Sequence, residues 1–316
     1  MNNEHSNNNE NNEKEIFEKL TSKQVNILLT GATGAGKSST INALFNQDLA
    51  KVGTGPDPET MDIKKFTYKN LTLWDSPGLG DGKDNDIRHA KNIINILNKK
   101  DNDGNLLIDL VIVILDGSTR DLGTSYELIN KVIIPNLIEE HPEKRLLIAI
   151  NQADRALRTP NGWDYEHNKP TAQAVKFLNE KVESVKKRVK EATNIDVDPI
   201  YYCAGFKDEY CSQKPYNLVK FMSYIIDKLP KEKRFITIMN TNKNKEMWEY
   251  DEDLKKHQNA IFQQISNAIG EISKGTVAGA VIGATIGSVI PVVGTAIGAA
   301  AGTIVGGCIG LIKSFF

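Results

Sequence analysis

"VNILLTGATGAGKSST", residues 25–40, decides the fold. Val25–Thr30 is an apolar run of strand length, and Ile41, Leu44 and Phe45 follow at helical spacing. Between them, Gly31-Ala32-Thr33-Gly34-Ala35-Gly36-Lys37-Ser38 fits GxxxxGK[ST] at every position. Glycines at that spacing let the backbone curl until successive N–H groups point inward around phosphate oxygens. Lys37 can reach the β- and γ-phosphates, and a Ser38 hydroxyl suits Mg²⁺. The helix that follows turns its N-terminus to the same anion.

Three later stretches narrow the ligand. "LTLWDSPGLGD" reads as a strand, Leu71–Trp74, running into Asp75-Ser76-Pro77-Gly78. An aspartate at that end can hold Mg²⁺, and the Gly78 N–H can approach a γ-phosphate. After two more strand-like runs, "IDLVIVILD" and "RLLIAIN", comes Asn151-Gln152-Ala153-Asp154. A carboxylate there can accept guanine N1–H and N2–H₂ together, an edge adenine lacks. "PIYYCAG" then ends a strand where Ala204 is expected to offer its backbone N–H to guanine O6.

In this order and after these strands, the four motifs resemble those of the TRAFAC class of P-loop GTPases. The nearest likeness is to Era- and TrmE-like bacterial GTPases and the immunity-related GTPases, over about residues 24–230. The resemblance implies an α/β fold: a three-layer, Ras-like G domain with a mostly parallel six-stranded sheet. It makes Gly31, Thr33, Gly34, Ala35, Gly36, Lys37, Ser38 and Ser39 the phosphate loop. Asn151, Asp154, Cys203 and Ala204 become the guanine site, with Cys203 where the family has serine. Ser38, Asp75 and a switch threonine are the implied Mg²⁺ ligands; in "VGTGPDPETMDI" Thr60 is preferred to Thr54. Lys37, Thr60 and Gly78 are the implied catalytic set for GTP hydrolysis to GDP and phosphate. Two positions depart from the family: Gln152 replaces the lysine that stacks on the base, and Leu79 stands where a glutamine often orients water. Leucine cannot position water, so slow intrinsic turnover is implied, completed by a partner or a nucleotide-dependent homodimer.

Other helices are legible by period. Ile87, Ala90, Ile94 and Leu97 outline one; Val175, Leu178, Val182, Val185 and Val189 a second; Leu218, Met222, Ile225 and Leu229 a third, stopped by Pro230. Residues 62–68 and 71–74 read as an antiparallel pair turned by Lys69-Asn70. "DRALRTPNGWDYEHNKP" reads as a loop inserted beside the base site. Residues 231–250 read as a charged linker, and Leu254, Ile261, Ile265, Ala268 and Ile272 as an amphipathic helix that packs on the domain or binds a partner.

The ends differ in character. Residues 1–23 comprise an Asn-rich stretch expected to be disordered and a short lead-in. At the other end, residues 274–316 hold a 38-residue uncharged segment, Gly275–Ile312. Its glycines fall at 275, 279, 283 and 287, then at 294, 298, 302, 306 and 310, with Pro291 between the sets. Spacing by four puts each set on one helix face, which reads as a glycine-zipper hairpin. Gly275–Ile290 reaches only about 24 Å as a helix, short of a roughly 30 Å hydrocarbon core. The expectation is therefore a re-entrant or conditionally inserted hairpin at the cytoplasmic membrane face, with membrane lipid as partner. A packed soluble hairpin is the alternative.

Composition sets bounds on all this. With 39 basic and 40 acidic residues there is no global footprint for nucleic acid, and no specific nucleic-acid partner is evident. Cys203, Cys211 and Cys308 suit a reducing, cytoplasmic setting better than a disulfide framework. His89 and His141 lack metal-ligand spacing and read as core or surface fillers; Arg120, Arg155 and Arg158 are arginine fingers only in principle. Two other functions stay open: a membrane-active effector or pore former with a regulatory G domain, and a soluble assembly GTPase with a packed tail.

The base assignment has a direct consequence. Asp154→Asn is expected to shift preference from guanine to xanthine nucleotides, because an amide can donate where a carboxylate only accepts. The loss for GTP should be on the order of 3 kcal/mol, read by competition titration; ATP competing equally with GTP in the wild type refutes it.

Overall fold

A computed structural model describes residues 15, 17–45, 62–80, 82–137, 140–157, 162–207, 212–272 and 291–293. Six strands form one sheet: β1 Val25–Gly31, β2 Lys64–Tyr68, β3 Leu71–Asp75, β4 Leu110–Asp116, β5 Leu146–Asn151 and β6 Ile200–Tyr201. Their order is β2-β3-β1-β4-β5-β6, with β2 antiparallel to β3 and every other pair parallel. This is the expected fold class. The expected hairpin turn is present as well, with Lys69 at φ 50°.

Successive residues of the central strands feed two separate cores. Ile27, Leu29, Ile112, Ile114, Leu147 and Ala149 face one; Leu28, Val111, Val113, Leu115, Ile148 and Ile150 face the other. A strand buried on both faces must be apolar at every position, which is why β1, β4 and β5 read as unbroken runs. The second core takes helices α2 Lys83–Leu97, α3 Gly123–Glu127 with its π-helical continuation Leu128–Ile133, and α4 Ala172–Thr193. The first takes α1 Lys37–Leu44, α5 Leu218–Lys228, α6 Lys231–Met239 and α7 Leu254–Ile272.

Two expectations need correction. The presumed linker after Pro230 begins with α6, which buries Phe235, Ile236, Ile238 and Met239 in the first core. Burying each such side chain contributes about 1.5–3 kcal/mol, more than enough to overrule a charged composition. The charges are themselves used: Lys233 Nζ meets the buried Asp109 carboxylate at 2.6 Å, and Asp109 also accepts the Asn26 N–H at 2.8 Å. The second correction concerns α2. Its buried residues are His89, Ile93, Ile96 and Leu97, whereas Ile87, placed on the inner face by periodicity, is 47% exposed.

Helix α7 packs through Ile261, Ile265, Ala268 and Ile269 against the same core as α5 and α6. Its start is tied to α5 by polar contacts. Asp251 Oδ2 accepts the Lys220 N–H at 2.8 Å, Asp251 Oδ1 meets His257 Nδ1 at 2.6 Å, and Glu252 Oε1 pairs with Lys220 Nζ at 2.7 Å. No helix among the described residues is long and apolar enough to cross a membrane. Most of the glycine-rich segment, like the Asn-rich N-terminus, lies outside the described residues; Pro291–Val293 forms a turn whose Val292 and Val293 are buried in the first core.

Candidate functional site

The carboxyl ends of β1, β3, β5 and β6 converge on one edge of the sheet, where ligands of open α/β folds bind. β1 delivers the phosphate loop. Gly36 takes φ 90° to turn the chain into α1, and a Cβ there would lie 2.2 Å from Asn151 Nδ2, so the position requires glycine on two counts. Lys37 is buried over the loop, its Nζ donating to the Ala32 carbonyl at 3.0 Å and to that of Gly31 at 3.3 Å. Ser39 follows in α1, and Thr40 joins its hydroxyl to the fully buried Tyr202 phenol at 2.5 Å.

β3 delivers Asp75. The Ser38 hydroxyl donates to Asp75 Oδ2 at 2.8 Å, while the buried Oδ1 has no partner among the described residues. Burial pushes the Asp75 carboxyl up, and the Ser38 bond with the Lys37 and Lys64 charges only partly pulls it down. An oxygen-only pair with one orphaned carboxylate oxygen fits a hard divalent cation, which would supply the missing partner. Thr60, the expected third ligand, and Thr54 lie outside the described residues.

Past Asp75, the chain lies against the phosphate loop. The Leu79 N–H donates to the Gly31 carbonyl at 3.3 Å and the Thr33 N–H to the Leu79 carbonyl at 3.0 Å. Gly78 sits so close to Thr33 that a Cβ would meet its atoms at 2.3–2.4 Å. The Leu79 side chain is buried in the second core, so it packs and has no access to a reacting water.

β5 and β6 build the base side, with one change from expectation. Asn151 Nδ2 donates to the Ala35 carbonyl at 3.0 Å, and its Oδ1 accepts the Ala204 N–H at 3.0 Å. Asn151 is thus a strut between the phosphate and base loops. The Ala204 N–H expected to face guanine O6 is already donated to it. Asp154 is 9% exposed; the Cys203 thiol nearby accepts the Gly205 N–H at 3.4 Å, and burial with the Asp154 charge holds that thiol well above its ordinary value. Gln152, in the lysine position, adopts φ 59° and donates Nε2 to the Gly34 carbonyl at 2.9 Å. It therefore keeps a tether to the phosphate loop without a charge. At the rim, the Arg155 guanidinium stacks 5.1 Å from the Phe206 ring, and the expected insert carries a short hairpin, Trp163–Asp164 with Lys169–Pro170.

Sequence reasoning missed two contributors. Lys181 on α4 donates to the carbonyls of Gly117 at 2.7 Å and Thr119 at 2.5 Å, pinning the loop after β4. A lysine on a polar helix face carries no sequence signal of that role. His89 is the other: its Nδ1 lies 3.2 Å from the Gly78 carbonyl. Its place one turn before the buried Ile93 could have marked it as inward-facing.

Residues 26–152 match the family model of the 50S ribosome-binding GTPases. Interferon-gamma-inducible GTPase 10 of Mus musculus is 44% identical over 62 residues, 18% of this chain and 15% of that protein. Septin-9 of Homo sapiens is 33% identical over 76 residues, 20% of this chain and 13% of its own length. The chain thus spans only a small part of either relative. Among solved structures, Aquifex aeolicus Era bound to GDP and AlF4⁻ is 15% identical, covering 66% of this chain and 57% of that one at a TM-score of 0.42. The strand order and motif geometry, rather than that overlap, carry the fold assignment.

Asp75 gives a signed prediction. A carboxyl pushed up by burial makes the nucleotide-free fold less stable as pH rises through its raised value. Asp75→Asn keeps an acceptor for Ser38 and removes the charge. The nucleotide-free variant should gain on the order of 1 kcal/mol at neutral pH, measured by thermal melting, while Mg²⁺ no longer strengthens its nucleotide binding.

Proposed function

We propose that this chain, which carries a TRAFAC-class P-loop GTPase G domain, binds GTP and GDP with Mg²⁺ and hydrolyses GTP slowly as a molecular switch. The observation that carries this reading is the Asn151 strut. One side chain fixes the spacing between a phosphate loop and a carboxylate, Asp154, suited to guanine. Lys37 and the inward N–H groups of the loop neutralise and orient phosphates. Asp154, at the buried end of the base side, accepts from the guanine edge. Ser38 and Asp75, with Thr60 as a third ligand, would hold Mg²⁺, which would supply positive charge to offset that of the phosphates. The chain offers no polar side chain at position 79 to orient water, so a second copy or a partner completes the reaction.

Mant-GTP titration and phosphate release test this directly. Wild type should bind GTP over ATP and turn over slowly, faster per molecule as protein concentration rises. Lys37→Ala should lose binding while keeping its fold, because the charge is needed only when phosphate is present. A folded Lys37→Ala protein with unchanged GTP affinity, or fast turnover flat across dilution, overturns the reading.

The uncharged C-terminal segment supports a membrane role for the switch, as a hairpin entering from the cytoplasmic face. The second reading, a tail packed on the protein, is favoured by one observation: Val292 and Val293 are buried in the first core. Flotation of full-length protein with anionic vesicles in GDP and GTP-analogue states separates the two. Co-flotation lost on deleting residues 275–316, with nucleotide binding intact, is the expected result. Full-length protein absent from the lipid fraction in both states sinks the membrane role.

A further inference from the structure

One face of α2 grips the segment after Asp75 at two points. Asp86 Oδ1 accepts the Gly80 N–H at 2.8 Å, and His89, three residues on, reaches the Gly78 carbonyl at 3.2 Å. A carbonyl only accepts, so in this contact His89 donates from Nδ1. The ring is 1% exposed, and Nε2 is buried without a partner among the described residues. As a core filler this is a poor choice, because an unsatisfied buried nitrogen costs more than a leucine in the same space. The bond at Nδ1 is what the residue contributes.

That bond acts on one peptide group. The Gly78–Leu79 unit is held at its carbonyl by His89 and at its N–H by the Gly31 carbonyl. On the other side of Gly78 stands Pro77, whose φ the ring fixes and whose carbonyl accepts the Ser76 hydroxyl at 3.2 Å. Between these anchors the Gly78 N–H itself has no hydrogen-bond partner among the described residues, and it lies beside Thr33 of the phosphate loop. Glycine has the widest backbone freedom of any residue. The direction of this N–H therefore depends on its anchors rather than on its own torsional preference.

We propose that His89 is a positioning residue for γ-phosphate recognition: its imidazole fixes the Gly78 carbonyl so that the Gly78 N–H is presented to the terminal phosphate of GTP. The same contact makes α2 the element that registers whether that phosphate is there. The inference rests on the guanine-nucleotide reading above. GDP lacks the group that Gly78 would meet, so loss of His89 weakens GTP binding and spares GDP.

The experiment compares full-length wild type with His89→Ala, His89→Asn and His89→Gln, titrating each with GDP and with GMPPNP by calorimetry. An asparagine amide nitrogen can occupy the Nδ1 position, whereas that of glutamine reaches the Nε2 position. Alanine should lower the ratio of GMPPNP to GDP affinity by roughly three- to tenfold, the worth of one hydrogen bond. Asparagine should restore the ratio and glutamine should not; unchanged GDP affinity reports an intact fold. Should the alanine variant fail to bind GDP, the asparagine–glutamine difference decides. An unchanged ratio in every variant, a parallel loss of both nucleotides, or equal rescue by glutamine overturns the role of His89. Wild type that binds neither nucleotide overturns the nucleotide reading instead.

Discussion

Asn151 is the point on which the site depends. Its amide spans two loops that come from different strands, donating to Ala35 on one side and accepting from Ala204 on the other. Both bonds are buried, and a buried amide that lost either partner would leave a polar group unsatisfied at a cost of about 1–3 kcal/mol. Gly36 has no room for a side chain because Asn151 Nδ2 fills that space. The glycine of the phosphate loop and the asparagine of the base loop are thus one steric arrangement seen from two ends. Around it the remaining contacts add stiffness: Gln152 to Gly34, Tyr202 to Thr40, and the Ala153 N–H to the Tyr202 carbonyl at 3.1 Å.

The sheet and its phosphate loop were legible because their signals are local. β1, β4 and β5 are buried on both faces, so nearly every residue had to be apolar, and the glycine spacing after β1 has few other uses. Asp75 and Asn151 stand out in the sequence because each closes an apolar run, and Asp154 because it lies three residues beyond one. What escaped notice depends on partners distant in sequence. His89 looked inert because metal-ligand spacing was sought, whereas its partner is a backbone carbonyl eleven residues earlier. α2 was read on the wrong face for the same reason, since Ile87 outranked a histidine on hydropathy. Ala204 was assigned to the base because no local pattern reveals that Asn151, fifty-three residues away, takes its N–H. α6 was missed because lysines and a glutamate mask an apolar stripe, and one of those lysines is used by Asp109, 124 residues upstream.

Side-chain substitution at the base loop shows how chemistry can be kept while residue type changes. Gln152 makes a neutral hydrogen bond to Gly34 in the place where a lysine is the usual residue of the class. Cys203 is buried and is held through its backbone, which exchanges two hydrogen bonds with Tyr216 at 3.0 Å. Position 152 thus keeps its link to the phosphate loop without a charge, and position 203 contributes through its backbone.

The packing of α6 and α7 into the first core has a mechanical meaning. Helix α7 is clamped at its start by Asp251 and Glu252 to α5, and along its length by Ile261, Ile265 and Ile269 to the core behind β1. α5 begins two residues after Tyr216, which is bridged by two hydrogen bonds to Cys203 near Asp154. A pull on the chain beyond Ile272 is therefore not absorbed by a slack tether. Its first resistance is the α7 packing on α5 and the core, two residues from the strand-end contact of Tyr216 with Cys203.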